Sequence, residues 1–372
     1  MRVNIASAHR FHLLDLAREL SEQGIDVKFY SYVPDKRCQS FGLPKECCAS
    51  FLWVVAPFFV LIKIFGYREI IVKYRNIVMD YYMSWFMRPC DVYIALGTVY
   101  KQSLPAAKRR FGAKTILEWG SMHIDDQRRI LAECNVKLQD MYFNKRSKEG
   151  YQLADYIAIP AEHTRNSFIA HGIPEQKLLV NPYGVDVSMF HPIKQEKSYD
   201  VIMVGNWSRQ KGCDLIVDAI RQTGLKFLHV GGLSDVPFPE NDKNFTHVDP
   251  VNQPMLINYL NQAKVFLMPT RQDGFGMVFS QALACNLPII GSPNSGAVDL
   301  KSKVLYPEYI YIIKDWTPSS VAETLTKAIS EYSTLGDKIY AGDALSEMTW
   351  EAYGKKYAQN VRAIVGGANT TI

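Results

Sequence analysis

A strand, helix, strand succession of apolar residues opens the chain and begins again after residue 192, and this doubled pattern limits the fold more than any other feature. Val3 to Ala6 reads as a short strand. Leu13, Leu14, Leu16, Ala17 and Leu20 then recur at helical spacing as far as Gly24, and Val27, Phe29 and Tyr30 supply a second strand. That order is the start of a parallel α/β sheet. Further strands are expected at Val92 to Ala95, Thr115 to Glu118, Tyr156 to Ile159 and Leu178 to Val180. Beyond His191-Pro192 and the polar stretch Lys194 to Ser198, strands are expected at Asp200 to Val204, Phe227 to Val230, Val265 to Met268 and Leu287 to Ile290, with a helix at Asp214 to Arg221. The expected fold class is α/β, with two doubly wound, Rossmann-like domains; 372 residues suit two such cores better than one.

Composition narrows the function. A formal charge of +5 on this length gives no ground for a nucleic-acid partner. Two local basic patches, Lys63, Arg68, Lys73 and Arg75, and Lys101, Lys108, Arg109, Arg110 and Lys114, read either as solvated helix faces or as attraction to an anionic lipid surface or a phosphorylated acceptor. Seven cysteines without paired CxxC spacing point to a reducing compartment and no structural zinc. The start MRVNIASAHRF lacks a signal-peptide core, so the expected location is cytoplasmic, with peripheral contact at the inner face of a membrane kept open. The apolar run Phe51 to Ile62 is interrupted by Pro57 and ends at Lys63, too short to span a bilayer; it reads as a buried or an interfacial element.

Ligands of open parallel sheets bind outside the carboxyl ends of the strands, so the loops after Ala95, Glu118, Val204 and Met268 carry the search for a site. The loop Val204 to Gly212 (VGNWSRQKG) brings Arg209 and Lys211 to a cleft edge, where cations offset charge on a departing diphosphate; a solvated loop is the plainer reading. In Val265 to Leu300 a Gly-rich turn precedes a helix starting at Met277. Gly274 and Gly276 allow close backbone approach to a phosphate, and the helix N-terminus presents free amides to the same anion. Asp273 and Gln281 flank that helix start; read structurally, Asp273 is a helix cap and Gln281 a partly buried helix residue.

With these blocks in place, and with Leu153 to Pro192 and Val201 to Ile220 beside them, the chain resembles the family-four group of retaining glycosyltransferases with the GT-B architecture, the glycosyl transferases group 1. The resemblance implies two Rossmann-like domains facing a central cleft: residues 1–192 on the acceptor side, 193–347 binding the nucleotide sugar, and 348–372 crossing back onto the first. It implies Lys211 on the donor diphosphate, Gly274, Phe275, Gly276, Met277 and Val278 around sugar and phosphate, and Gln281 on the ribose. Three positions depart from the family pattern: Asn206 stands for Arg, Asp273 for Glu and Gln281 for Glu. Arg209 is a candidate to replace the missing cation. His123 matches a histidine near the reaction centre in such enzymes, and capping of the helix beginning near Asp125 is an equal account. His9, Arg10 and His12, after the first strand, are acceptor-side candidates, again with a solvated loop as the alternative.

The activity implied is transfer from a nucleotide diphosphate sugar to a glycan, lipid-linked or small-molecule acceptor, with catalytic roles for His123, Asp273 and Lys211, no metal and no cofactor. A sugar-nucleotide-binding protein of weak or absent transferase activity, or an epimerase or phosphorylase of the same architecture, would share the fold. Trp350, Tyr353 and Tyr357 lie on one face of a last helix and are expected to anchor its packing.

Overall fold

The computed structural model describes residues 1–96, 99–136, 141–335 and 342–367. The first sheet contains β1 (Arg2–Ala6), β2 (Asp26–Ser31), β3 (Cys48–Ser50), β4 (Val92–Leu96), β5 (Lys114–Glu118), β6 (Tyr156–Ile159) and β7 (Leu178–Val180). The second contains β8 (Tyr199–Val204), β9 (Phe227–Val230), β10 (Phe245–Val248), β11 (Ala263–Leu267), β12 (Ile289–Gly291) and β13 (Ile310–Ile312). All strand pairs are parallel, in the orders β3-β2-β1-β4-β5-β6-β7 and β10-β9-β8-β11-β12-β13. The interior strands are mainly apolar, with Asn4, Thr115, Glu118 and His229 among the buried polar exceptions, because helices cover both faces of each sheet. In each sheet the order reverses once, between β1 and β4 and between β8 and β11. These two reversals leave crevices at the carboxyl ends of the strands, the usual ligand position in such sheets.

Three strands were not expected from sequence: β3, β10 and β13. All three are sheet edges of three or four residues. An edge strand has a neighbour on one side only, and its short apolar content does not stand out from loop.

The helix Trp350–Gly366 returns to the first sheet and packs on the helix Phe11–Glu22 so closely that a Cβ on Gly354 would lie 2.2 Å from the Glu19 side chain. Thr349 caps it, accepting a hydrogen bond from the Ala352 amide at 3.1 Å. Tyr353 and Tyr357 are buried, as expected of anchors. All seven cysteines are buried and free.

After the buried Phe51, the run to Ile62 lies in the helix Leu52–Phe65, which continues through Pro57 and of which only Val55 is buried. The reading as an interior helix is therefore corrected: this helix is largely solvent-facing and forms a hairpin with the helix Glu69–Phe86. No helix among the described residues is long and apolar enough to cross a membrane.

Candidate functional site

The second sheet's reversal brings together the loops that follow β8 and β11. Gly212, at φ +77°, ends the first loop and opens the helix Cys213–Thr223; a Cβ there would sit 2.4 Å from the Pro269 carbonyl oxygen, so only glycine lets the loops meet. Polar bonds then fasten them. The Arg271 amide donates to the Gln210 carbonyl at 2.9 Å, the Gln210 side chain donates to Gln272 Oε1 at 2.7 Å, and Arg271 forms a forked pair with Asp214 at 2.7 and 2.9 Å.

This fastening sets Lys211 against Asp273, with Nζ 2.5 Å from Oδ2. The other carboxylate oxygen accepts from the Gly274 amide at 2.8 Å. Asp273 is thus not a helix cap; Gly276, at φ +79°, takes that position ahead of the helix Met277–Ala284 and offers no side chain. A fixed ammonium, a Gly-rich turn and an uncapped helix N-terminus converge on one spot already holding a carboxylate, an arrangement suited to an anion. Gln281, one helical turn beyond, is buried, yet its side-chain amide makes no hydrogen bond with the described residues. Asn206 and Arg209 are exposed, and neither side chain is bonded to Asp273.

The first domain meets this loop from two sides. A Cβ on Gly274 would fall 1.7 Å from the Gly120 carbonyl oxygen, and the Gln272 amide donates to Ser121 Oγ. His163 donates from Nε2 to the Asp273 carbonyl oxygen at 2.9 Å, while its Nδ1 is buried without a partner. Burial lowers the His163 pKa, which keeps the ring neutral. No sequence signal marked His163, since its role depends on a residue 110 positions away.

His123 lies elsewhere. It caps the helix Ile124–Glu133, accepting from the Asp125 amide at 3.3 Å, and its ring stacks on His171 at 4.1 Å. Burial, then the neighbouring His171, pushes its pKa down to about 4. With Lys101, Lys148, Tyr151 and His171 it lines a cavity of about 690 Å³ in the first domain, and no hydrogen bond or ion pair joins it to Lys211 or Asp273. His123, Asp125 and His171 are the one group among the described residues with metal-ligand chemistry within 4.8 Å, and Lys148 Nζ already pairs with Asp125 at 2.7 Å.

The acceptor-side candidates separate. His9 bonds the Tyr32 hydroxyl, and Arg10 stacks over Phe41 with an ion pair to Asp15 at 3.6 Å. His12 bonds Glu118 at 3.0 Å, and Glu118 accepts from the Tyr357 hydroxyl at 2.6 Å. The His12 ring packs on Tyr183, which in turn meets Phe275 of the Gly-rich turn. Of the three, His12 comes nearest that turn, through one intervening ring.

Residues 198–331, which carry this whole second-sheet site, match the family described as Glycosyl transferases group 1. Over that stretch the chain matches the group 1 glycosyltransferases, and its two-sheet architecture is the GT-B fold. Among curated relatives, the chain is 27% identical over 173 residues to the capsular polysaccharide biosynthesis glycosyltransferase CapM of Staphylococcus aureus, covering 41% of this chain and 44% of that one. It is 27% identical over 101 residues to an uncharacterized glycosyltransferase of Methanocaldococcus jannaschii, covering 26% of this chain and 29% of that one. The match thus spans less than two thirds of either relative. Among solved structures, it is similar to Anabaena HepE in complex with UDP-glucose, with a TM-score of 0.63 at 11% identity over 98% of this chain and 100% of that one.

Proposed function

We propose that this glycosyltransferase moves a sugar, with retention of anomeric configuration, from a nucleotide diphosphate sugar to an acceptor held on the first-domain side. The observation that carries the reading is the Lys211–Asp273 pair, 2.5 Å apart, beside the Gly274 amide and the uncapped helix at Met277. A diphosphate brings more negative charge than one carboxylate and competes for the same ammonium and amides. As the bond from the sugar's anomeric carbon to the diphosphate breaks, Lys211 and the helix N-terminus hold the growing charge. The acceptor oxygen bonds that carbon from the same face, and its proton passes to the departing phosphate oxygen. Asp273, released from Lys211, faces the sugar, and Gln281 faces the ribose. This chemistry needs no metal: the charge is met by Lys211 and backbone amides.

Lys211→Ala is expected to lower transfer by about 2–4 kcal/mol of transition-state stabilisation, the effect of losing one such donor. The test is donor turnover by wild type and variant across a panel of nucleotide sugars, beginning with UDP-glucose. Equal kcat/KM in both removes Lys211 from the site. Thermal stabilisation by nucleotide without turnover of any sugar favours a binding protein instead.

A further inference from the structure

More than half of the exposed large hydrophobic side chains among the described residues lie between residues 53 and 86, in the hairpin of the helices Leu52–Phe65 and Glu69–Phe86. At its tip Val60, Ile64, Phe65, Tyr67 and Ile70 are exposed, Ile64 by 66% and Tyr67 by 73%. A monomeric soluble surface rarely concentrates apolar groups in this way without a partner.

Ring contacts fix where the tip points. Phe51 and Trp53 meet Tyr82 at 5.6 and 5.7 Å, and farther along Phe59 lies under the Arg75 guanidinium at 5.7 Å. Phe59 also meets Tyr32, just past the carboxyl end of β2, and Tyr32 bonds His9, just past that of β1. The residues between Phe59 and Arg75 therefore project beyond the carboxyl edge of the first sheet, roughly 9 Å further along the first helix at 1.5 Å per residue. This is the edge at which the crevice between β1 and β4 opens.

The projecting segment is also cationic. Lys63, Arg68 and Lys73 have no carboxylate partner among the described residues, although the Lys73 ammonium lies over the Tyr142 ring at 4.1 Å, and Glu69 is the sole acid from residue 51 to residue 79. At the base, Arg75 is buried and, among the described residues, hydrogen-bonds the Asn76 side chain alone and has no carboxylate partner. Two copies of such a tip would repel each other. A surface carrying negative charge over an apolar interior answers both properties, and Trp53, Tyr67 and Tyr74 are residues that favour its boundary.

We propose that the hairpin tip docks on an anionic lipid bilayer, inserting Ile64 and Phe65 while Lys63, Arg68 and Lys73 meet the headgroups. Docked in this way, the crevice beside His9 faces the lipid surface. That the acceptor is drawn from that bilayer rests on the transfer reading; the docking itself does not.

Flotation of the full chain with vesicles tests it, without any donor present. The protein is expected to float with phosphatidylcholine vesicles containing phosphatidylglycerol, to remain soluble with phosphatidylcholine alone, and to release as salt rises. The Ile64→Ser/Phe65→Ser and Lys63→Glu/Arg68→Glu double variants alter exposed side chains, so folding should persist by circular dichroism, and each should weaken binding at least about tenfold. Soluble wild-type protein with the anionic vesicles at low salt overturns the proposal, as does equal binding by either variant. A wild-type dimer in light scattering that the Ile64→Ser/Phe65→Ser variant turns to monomer assigns the patch to a second copy and overturns it too. A chain that floats but transfers no sugar leaves docking intact and the transfer reading refuted.

Discussion

Gln281 shows how one side chain can be informative by what it leaves unmade. It is buried beside the Gly-rich turn, yet its amide bonds nothing among the described residues, whereas neighbouring polar groups such as Ser292, Ser295 and Thr270 are fully engaged. A ribose hydroxyl is the partner the proposed function supplies. Gln281→Leu should then weaken nucleotide binding by about 1 kcal/mol, roughly fivefold, while Gln281→Glu is tolerated or binds more tightly because a carboxylate accepts stronger hydrogen bonds. Calorimetric titration with UDP checks both, and undiminished affinity in Gln281→Leu removes the residue from the ribose. The same scale shows what sequence can carry. Lys211 and Asp273 were legible as candidates because each follows an apolar strand, where ligands of such sheets collect, and the structure pairs them. His123 was not decidable, because capping and catalysis call for the same residue at the same place; the structure shows the cap bond to the Asp125 amide. His163 was not visible at all, being one histidine in an ordinary helix until Asp273 is folded against it.

Among elements, the neighbouring strands β9 and β10 pair His229 with His247 in register, their Nδ1 atoms 2.9 Å apart. His229 is fully buried under Trp207 and Phe238 and donates from Nε2 to the Gly205 carbonyl at 2.8 Å, at the entrance to the Lys211 loop. Its Nδ1 therefore accepts from His247, whose other nitrogen faces the exposed Asp249 at 3.5 Å. Burial, opposed by the Gly205 bond and reinforced by His247, pushes the His229 pKa down to about 4. The unfolded chain takes up this proton at the ordinary value of 6.5, so the stability from neutral His229 is complete above 6.5 and is lost as pH falls toward 4. His123 loses stability in the same window. The melting temperature should accordingly fall between neutral pH and pH 5, and His229→Gln should flatten that fall while lowering stability at neutral pH by about 1–3 kcal/mol, the cost of an imperfect buried hydrogen bond. An unchanged pH slope in the variant shows that His229 is not its source. Both strands bear on legibility as well: β9, inside the sheet, was readable from its apolar run, while β10, at the edge with two partly exposed positions around His247, was not.

For the whole molecule, the decisive contact is between the sheets, not within either. Gly274 lies so near the Gly120 carbonyl that the two domains are locked around the Asp273 loop, with Gln272 bonded to Ser121 and His163 bonded to the Asp273 carbonyl. No sequence pattern could announce this, because Gly274 reads equally well as a phosphate-turn glycine, and the carbonyl it must clear belongs to the other domain. The two accounts separate in the variant Gly274→Ala. Gly274 does not occupy the left-handed region, so alanine strains neither its own turn nor the second domain. The added methyl group, placed 1.7 Å from the Gly120 oxygen, instead forces the domains apart. If closure aligns donor with acceptor, a displacement of about 1 Å costs on the order of a hundredfold in transfer, while nucleotide binding, which the proposed function assigns to the second domain, stays near wild type. Solution scattering should record a larger radius of gyration, and melting should change little. Ser121→Ala, which deletes the bonds its hydroxyl accepts from Gln272 and Gln127 and leaves the close approach possible, should reduce transfer far less. A Gly274→Ala variant that binds nucleotide poorly with unchanged dimensions places the glycine's role in the phosphate turn alone; one that transfers sugar at the wild-type rate shows that this closed arrangement is not the one in which transfer occurs.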